Sequence, residues 1–97
     1  MHMAEYDHAI GYLERAIKDL KDPYWLKTAW NNKGLCYFNK RKYGEAIDCF
    51  NEALKHDPGL KQAWFNKAVC LREVGDSTGS IRCAKRALEI DPHYKEP

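Results

Sequence analysis

The run Ala29-Trp30-Asn31-Asn32-Lys33-Gly34-Leu35-Cys36 returns 34 residues later as Ala63-Trp64-Phe65-Asn66-Lys67-Ala68-Val69-Cys70. A fixed period of this length constrains the fold more than any other feature. Each copy must be one supersecondary unit that buries its apolar face against its neighbours. The register holds outside the run. Lys27 matches Lys61, Ile47 matches Ile81 and Cys49 matches Cys83. Ala53-Leu54 matches Ala87-Leu88, and Asp57-Pro58 matches Asp91-Pro92. Residues 27–60 and 61–94 therefore read as two copies of one unit.

The spacing inside each copy is helical. With Met1-His2-Met3 set aside, Tyr6, Ala9, Ile10, Leu13, Ala16, Ile17 and Leu20 recur at i, i+3, i+4, i+7 and predict a helix from residue 4 to about 21. The same pattern recurs at Tyr43, Ala46, Ile47, Phe50, Ala53 and Leu54, now with an offset of 37 residues. Residues 4–26 thus read as a half unit, the second helix of a pair plus a slightly longer connection. Pro23 in that connection is expected to stop the first helix. Further helices are expected at about Thr28–Asn39, Tyr43–His56 and Lys61–Val74. A fifth, capped by Asp76 or Ser77, runs to Asp91-Pro92. Gly75 is expected to close the fourth helix in the usual C-terminal role. The fold class is all-α, with five helices.

Small residues recur where paired helices must cross closely: Gly34, Ala46 and Ala53 in one unit, Ala68, Ser80 and Ala87 in the next. A larger side chain there would push the axes beyond the usual ~8–10 Å. Trp30 and Trp64 are the matching space-fillers.

Composition narrows the function. The 97-residue chain is 44% hydrophobic and 31% charged, with a formal net charge of +2. That charge is too slight to argue for nucleic acid or an anionic membrane surface. No apolar run approaches the ~18 residues of a membrane span, and no secretory pattern opens the chain. The expectation is a cytoplasmic protein. The four cysteines pair by period, Cys36 with Cys70 and Cys49 with Cys83. They form no Cys-x-x-Cys and have no His at ligand spacing, so they read as small buried apolar residues rather than a metal or redox site. His8, His56 and His93 are scattered, and no Gly-rich phosphate loop occurs. No enzyme activity and no cofactor are expected.

The Trp30, Gly34, Tyr37, Ala46, Phe50, Ala53 and Pro58 series resembles the tetratricopeptide repeat. Trp64, Ala68, Leu71, Ser80, Ala84, Ala87 and Pro92 follow the same pattern with relaxations, Ala84 being smaller than the family norm. The resemblance implies a helix–turn–helix superhelical repeat, an α-solenoid, whose first helices line a concave face that binds an extended peptide or a partner helix. On that basis the expected groove residues are Asn31, Asn32, Leu35, Phe38 and Asn39, then Phe65, Asn66, Val69 and Arg72. Thr28, Gln62 and Glu73 face the same way. Leu35, Phe38, Phe65 and Val69 stand off the Trp stripe and read as an apolar floor. Asn32 and Asn66, with both donor and acceptor groups, suit a peptide backbone; the other reading is that each bonds locally to the next helix or to water. The subclass that clamps a C-terminal carboxylate wants Lys, Asn or Arg where this chain has Thr28, Asn31, Leu35, Gln62 and Phe65, so no such clamp is expected.

Lys33 and Lys67 depart from the family pattern, which has an apolar residue there. Either their stems pack while the ammonium groups reach water, or they display two cations along the inner face. The expected partner is a protein or peptide, with neither nucleic acid nor membrane. The alternative is a structural scaffold segment that self-associates as a homo-oligomer through exposed terminal helices. Leu13 and Ile17 would lie at one open end, and Ile81, Leu88 and Ile90 at the other.

Overall fold

Asp22-Pro23 decides where the second helix begins. In the computed structural model, which describes residues 3–94, α1 spans Met3–Asp19 and α2 spans Pro23–Asn39. The expected start at Thr28 is therefore five residues late. Pro23 is not a terminator but the first residue of α2, a place where its missing N–H costs nothing and its fixed φ already suits a helix. The Asp22 side chain caps the helix by accepting the Tyr24 N–H at 3.0 Å. The remaining helices are α3 (Tyr43–His56), α4 (Lys61–Glu73) and α5 (Ser77–Ile90). At the end of α4, Gly75 adopts φ 93°, the left-handed closing conformation. Asp76, not Ser77, caps α5, accepting the Gly79 N–H at 2.9 Å. Gly79 is a weak helix former with a local reason to be there: a Cβ would fall 2.5 Å from the capping carboxylate.

Each helix packs on the next in sequence, and α2 also touches α4. Among the described helices, α1 and α3 make no contact, nor do α3 and α5. The stack is therefore drawn together on the α2–α4 side and spread on the other, so α2 and α4 line its inner curve. This is the quasi-one-dimensional layout of an α-solenoid.

The core sits between α2, α3 and α4. Ala46, Phe50, Ala53, Leu54, Ala63 and Cys70 form one buried cluster, with Trp30, Tyr37, Ile47, Leu60 and Trp64 packed around it. Its tightest point is Gly34 against Phe50. A Cβ on Gly34 would lie 2.5–2.9 Å from three carbons of the Phe50 ring, and that ring is fully buried with no room to retreat. All four cysteines are free; Cys49, Cys70 and Cys83 are buried and Cys36 half-buried. Burial pushes the Cys49 and Cys70 thiols up to about 11, which fits packing residues.

Two matching ion pairs hold the N-terminal part of each inner helix. Lys27 donates to Asp57 at 2.8 Å, and Lys61 to Asp91 at 2.7 Å. The second oxygen of each aspartate accepts a turn N–H at 3.0 Å, from Gly59 and His93 respectively. Each carboxylate thus ties the start of a unit's first helix to the turn that ends its second. The lysine hydrogen bonds, reinforced by those turn N–H groups, hold both aspartates below their ordinary value. Trp64 adds its indole N–H to the Pro58 carbonyl at 2.8 Å. At the other end of α2, Lys40 pairs with Asp7 of α1.

Two outcomes are expected. Gly34→Ala should lower stability in urea unfolding by about 1–3 kcal/mol through overpacking, even though Ala is the better helix former by about 1 kcal/mol. Gly44→Ala, where a Cβ meets open space, should stabilise instead; equal effects at the two sites would refute the close approach. The second outcome concerns acid. A carboxylate with a depressed folded-state pKa adds stability above its unfolded value of about 3.9 and loses it as pH falls through the lower folded value. Asp57→Asn/Asp91→Asn should therefore melt earlier than the parent at pH 7 and converge with it near pH 2. Parallel melting curves across that range would contradict the pairing.

Candidate functional site

The free stripe of α2 follows from its spacing. Thr28, Asn32, Leu35 and Asn39 recur at i, i+4, i+7 and i+11 and so share one face. Thr28, Asn32 and Asn39 are exposed and Leu35 is half-buried. On α4 the counterparts are Gln62, Asn66, Val69 and Glu73. Gln62 and Glu73 are exposed, and Asn66 and Val69 are half-buried. Each inner helix thus offers an amide three residues before an aliphatic side chain. Among the described residues, neither Asn32 nor Asn66 makes an internal side-chain hydrogen bond.

The other expected groove residues are placed less openly. Phe38 packs on the core and meets the Tyr43 ring at 5.7 Å, tilted by 55°. Leu35 also packs on the core from its half-buried place. The apolar floor is therefore partly consumed by packing between helices, which spacing within a single helix does not show. Phe65 meets the Tyr94 ring edge-on at 5.5 Å, so the segment after α5 covers part of it. Asn31 is half-buried, and its side-chain oxygen is buried without a hydrogen-bond partner. Arg72 is exposed and lies 3.8 Å from Glu73, so the pair neutralises that end of the face. The surface that remains is uncharged amide and aliphatic over most of its length.

Lys33 and Lys67 are not on it. Lys33 Nζ stands 5.0 Å above the Trp30 ring and 6.0 Å from that of Tyr37, while Lys67 Nζ stands 5.6 Å above Trp64. Each lysine lies over the tryptophan one turn before it, where ring and cation attract. Of the two readings of these lysines, the stem packed against the neighbouring side chain is the one these distances agree with. Lys33, Trp30 and Tyr37 instead line an open hollow of about 480 Å³ shared with Glu45, Asp48 and Glu52 of α3. The missed elements are these stacked lysines and the Lys27–Asp57 and Lys61–Asp91 pairs. The period marks all eight residues involved, counting both tryptophans, but matching positions does not say which matched residues touch.

With the geometry in place, comparison with known proteins is direct. The tetratricopeptide repeat family matches at residues 28–60 and again at residues 49–82, together more than half of the chain. Human tetratricopeptide repeat protein 6 is 38% identical over 53 residues, which is 50% of this chain and 10% of that protein. The crystal structure of YrrB, a tetratricopeptide-repeat protein with an unusual peptide-binding site, shares the fold with a TM-score of 0.82 at 24% identity. That likeness covers 95% of this chain and 46% of YrrB. This chain accordingly spans about a tenth of the one relative and about half of the other. The helix pairs, their 34-residue register and both family matches agree, and the chain belongs to the tetratricopeptide-repeat family.

Proposed function

We propose that this chain is a non-catalytic protein-interaction module that receives an extended peptide or a partner helix along the inner face of α2 and α4. The proposal includes the division of the chain into a half unit, residues 4–26, and two full units, 27–60 and 61–94. The observation that carries the reading is the repeated amide–aliphatic pair: Asn32 with Leu35, then Asn66 with Val69. A peptide backbone offers N–H and C=O groups at regular intervals, and an asparagine can satisfy both. The aliphatic side chain beside each amide supplies contact area of no particular sequence preference. Fold likeness to YrrB, itself described as having a peptide-binding site, supports the same reading. The cysteine thiols weigh against nucleophilic chemistry, because burial raises them when a nucleophile needs the opposite shift.

The test is a peptide-library selection on the purified chain, followed by titration of the selected peptide into variants. Two backbone hydrogen bonds at about 0.5–1.5 kcal/mol each amount to roughly tenfold in affinity. Asn32→Ala/Asn66→Ala should lose about that much binding with an unchanged melting temperature, since neither amide is used internally. Equal affinity for both proteins would remove the groove assignment.

A further inference from the structure

The hollow on the outer side of the stack is the cavity that the inner-face reading does not use. It encloses about 480 Å³, in the range of ligand clefts. Its floor is α2. There Trp30, Lys33 and Tyr37 follow i, i+3, i+7 and lie across the helix from Asn32 and Leu35. Its wall is α3, with Glu45, Asp48 and Glu52. Burial first, and then the charge of Glu14 on α1, raise the Tyr37 phenol, which sets a fourth carboxylate beside the hollow. The helices α1 and α3 both pack on α2 but not on each other, so the space between them stays open.

Three observations point to a cation as the occupant. The floor already holds one. Lys33 Nζ lies 5.0 Å from the Trp30 ring and 6.0 Å from that of Tyr37, so Tyr37 is the less occupied of the two rings. The charge is not balanced. Lys33 and Lys55 are the bases lining the hollow, and Lys55 is bound to Glu52 at 2.8 Å. Among the described residues, Glu14, Glu45 and Asp48 have no ion-pair or hydrogen-bond partner. Cys49, only 4% exposed, also lines the hollow. Its thiol sulfur, a weak acceptor, makes no hydrogen bond among the described residues.

The repeat does not demand this charge. Thirty-four residues on, Glu45, Asp48 and Glu52 become Gly79, Arg82 and Arg86, so the scaffold is built with either sign. Nor does a metal ion fit, because among the described residues no group of three His, Cys, Asp or Glu side chains is placed to hold one. Carboxylates spread around an aromatic ring suit a larger, delocalised cation. A planar guanidinium can lie on the ring and donate to the surrounding carboxylates at once. We propose that the outer hollow is a second recognition site, which takes an arginine side chain from a basic segment of a partner protein. The guanidinium lies over Tyr37, and its N–H groups are shared among Glu14, Glu45 and Asp48.

The test is an NMR titration of the whole chain with a blocked Gly-Arg-Gly-Arg-Gly peptide at about 50 mM salt, where charge is little screened. A twin peptide carries citrulline for arginine, which keeps the shape and removes the charge. Amide shifts should centre on Tyr37, Asp48 and Cys49 and saturate, with the citrulline peptide about tenfold weaker. Glu45→Gln/Asp48→Asn, at exposed residues without internal partners, should weaken the arginine peptide about tenfold at an unchanged melting temperature. Lys33→Met, which withdraws the resident cation, should tighten it about threefold. The proposal is overturned if neither peptide binds, if both bind alike, or if the double variant binds as the parent does. Weaker binding by a folded Lys33→Met protein overturns it too. So do shifts confined to the Asn32 and Asn66 face. Hollow shifts that follow protein concentration without peptide would put Arg82 and Arg86 of a second copy there, and overturn it equally.

Discussion

The approach of α2 to α3 at Gly34 and Phe50 is the contact the rest of the structure depends on. Helix pairs that bury an aromatic ring close against a backbone need a residue with no side chain at that point. Gly34 supplies it, and the Phe50 ring fills the space up to the backbone. Once that distance is set, Ala46 and Ala53 can lie fully buried on the same face of α3, and α4 closes over Leu54 and Ile47. Helix propensity alone would not give this arrangement. The inner helices carry little amphipathic pattern because they are contacted from several sides: α2 by α1, α3 and α4. Tertiary packing, more than intrinsic preference, holds them helical.

A stack built this way separates its surfaces by chemistry. The inner curve presents unbonded amides and aliphatic residues. The outer hollow between α2 and α3 gathers Glu45, Asp48 and Glu52 around a stacked lysine. The α5 end presents apolar residues around an unpaired lysine. Each surface follows from the same 34-residue template, and residues that depart from it mark the differences: Lys85 for Asn51 and Phe65 for Asn31. Departures from a repeat are where recognition can be written, because the scaffold itself is specified by the positions that do not change.

Much of this was legible in the sequence, for stated reasons. The period, the small residues and the Trp stripe are local or strictly periodic, and they give the five helices and their order. Gly75 and Asp76 act through their own backbone neighbourhood, so their roles follow from position. Pro23 is ambiguous in the sequence because a proline means opposite things at a helix end and at a first turn, and the Asp22 cap decides between them. Leu35 and Phe38 looked free because the packing that half-buries them extends beyond a single helix. Lys33 and Lys67 could not be placed because a lysine stem reaches in several directions, and only the fold shows the indole ring beneath it. The Lys27–Asp57 and Lys61–Asp91 pairs join residues about thirty apart, a distance at which period alone names candidates but not bonds.

The central claim is that stability is greatest where α2, α3 and α4 share the Gly34–Phe50 core and falls toward both ends of the stack. Native-state amide hydrogen exchange reads this directly, since protection reports local opening free energy. The slowest amides should lie in the middle of α3 and the facing turns of α2, around Phe50 and Gly34. Amides of α1 and α5, each packed on one side only, should exchange faster. Uniform protection across all five helices, or slowest exchange in α1 or α5, would contradict the account.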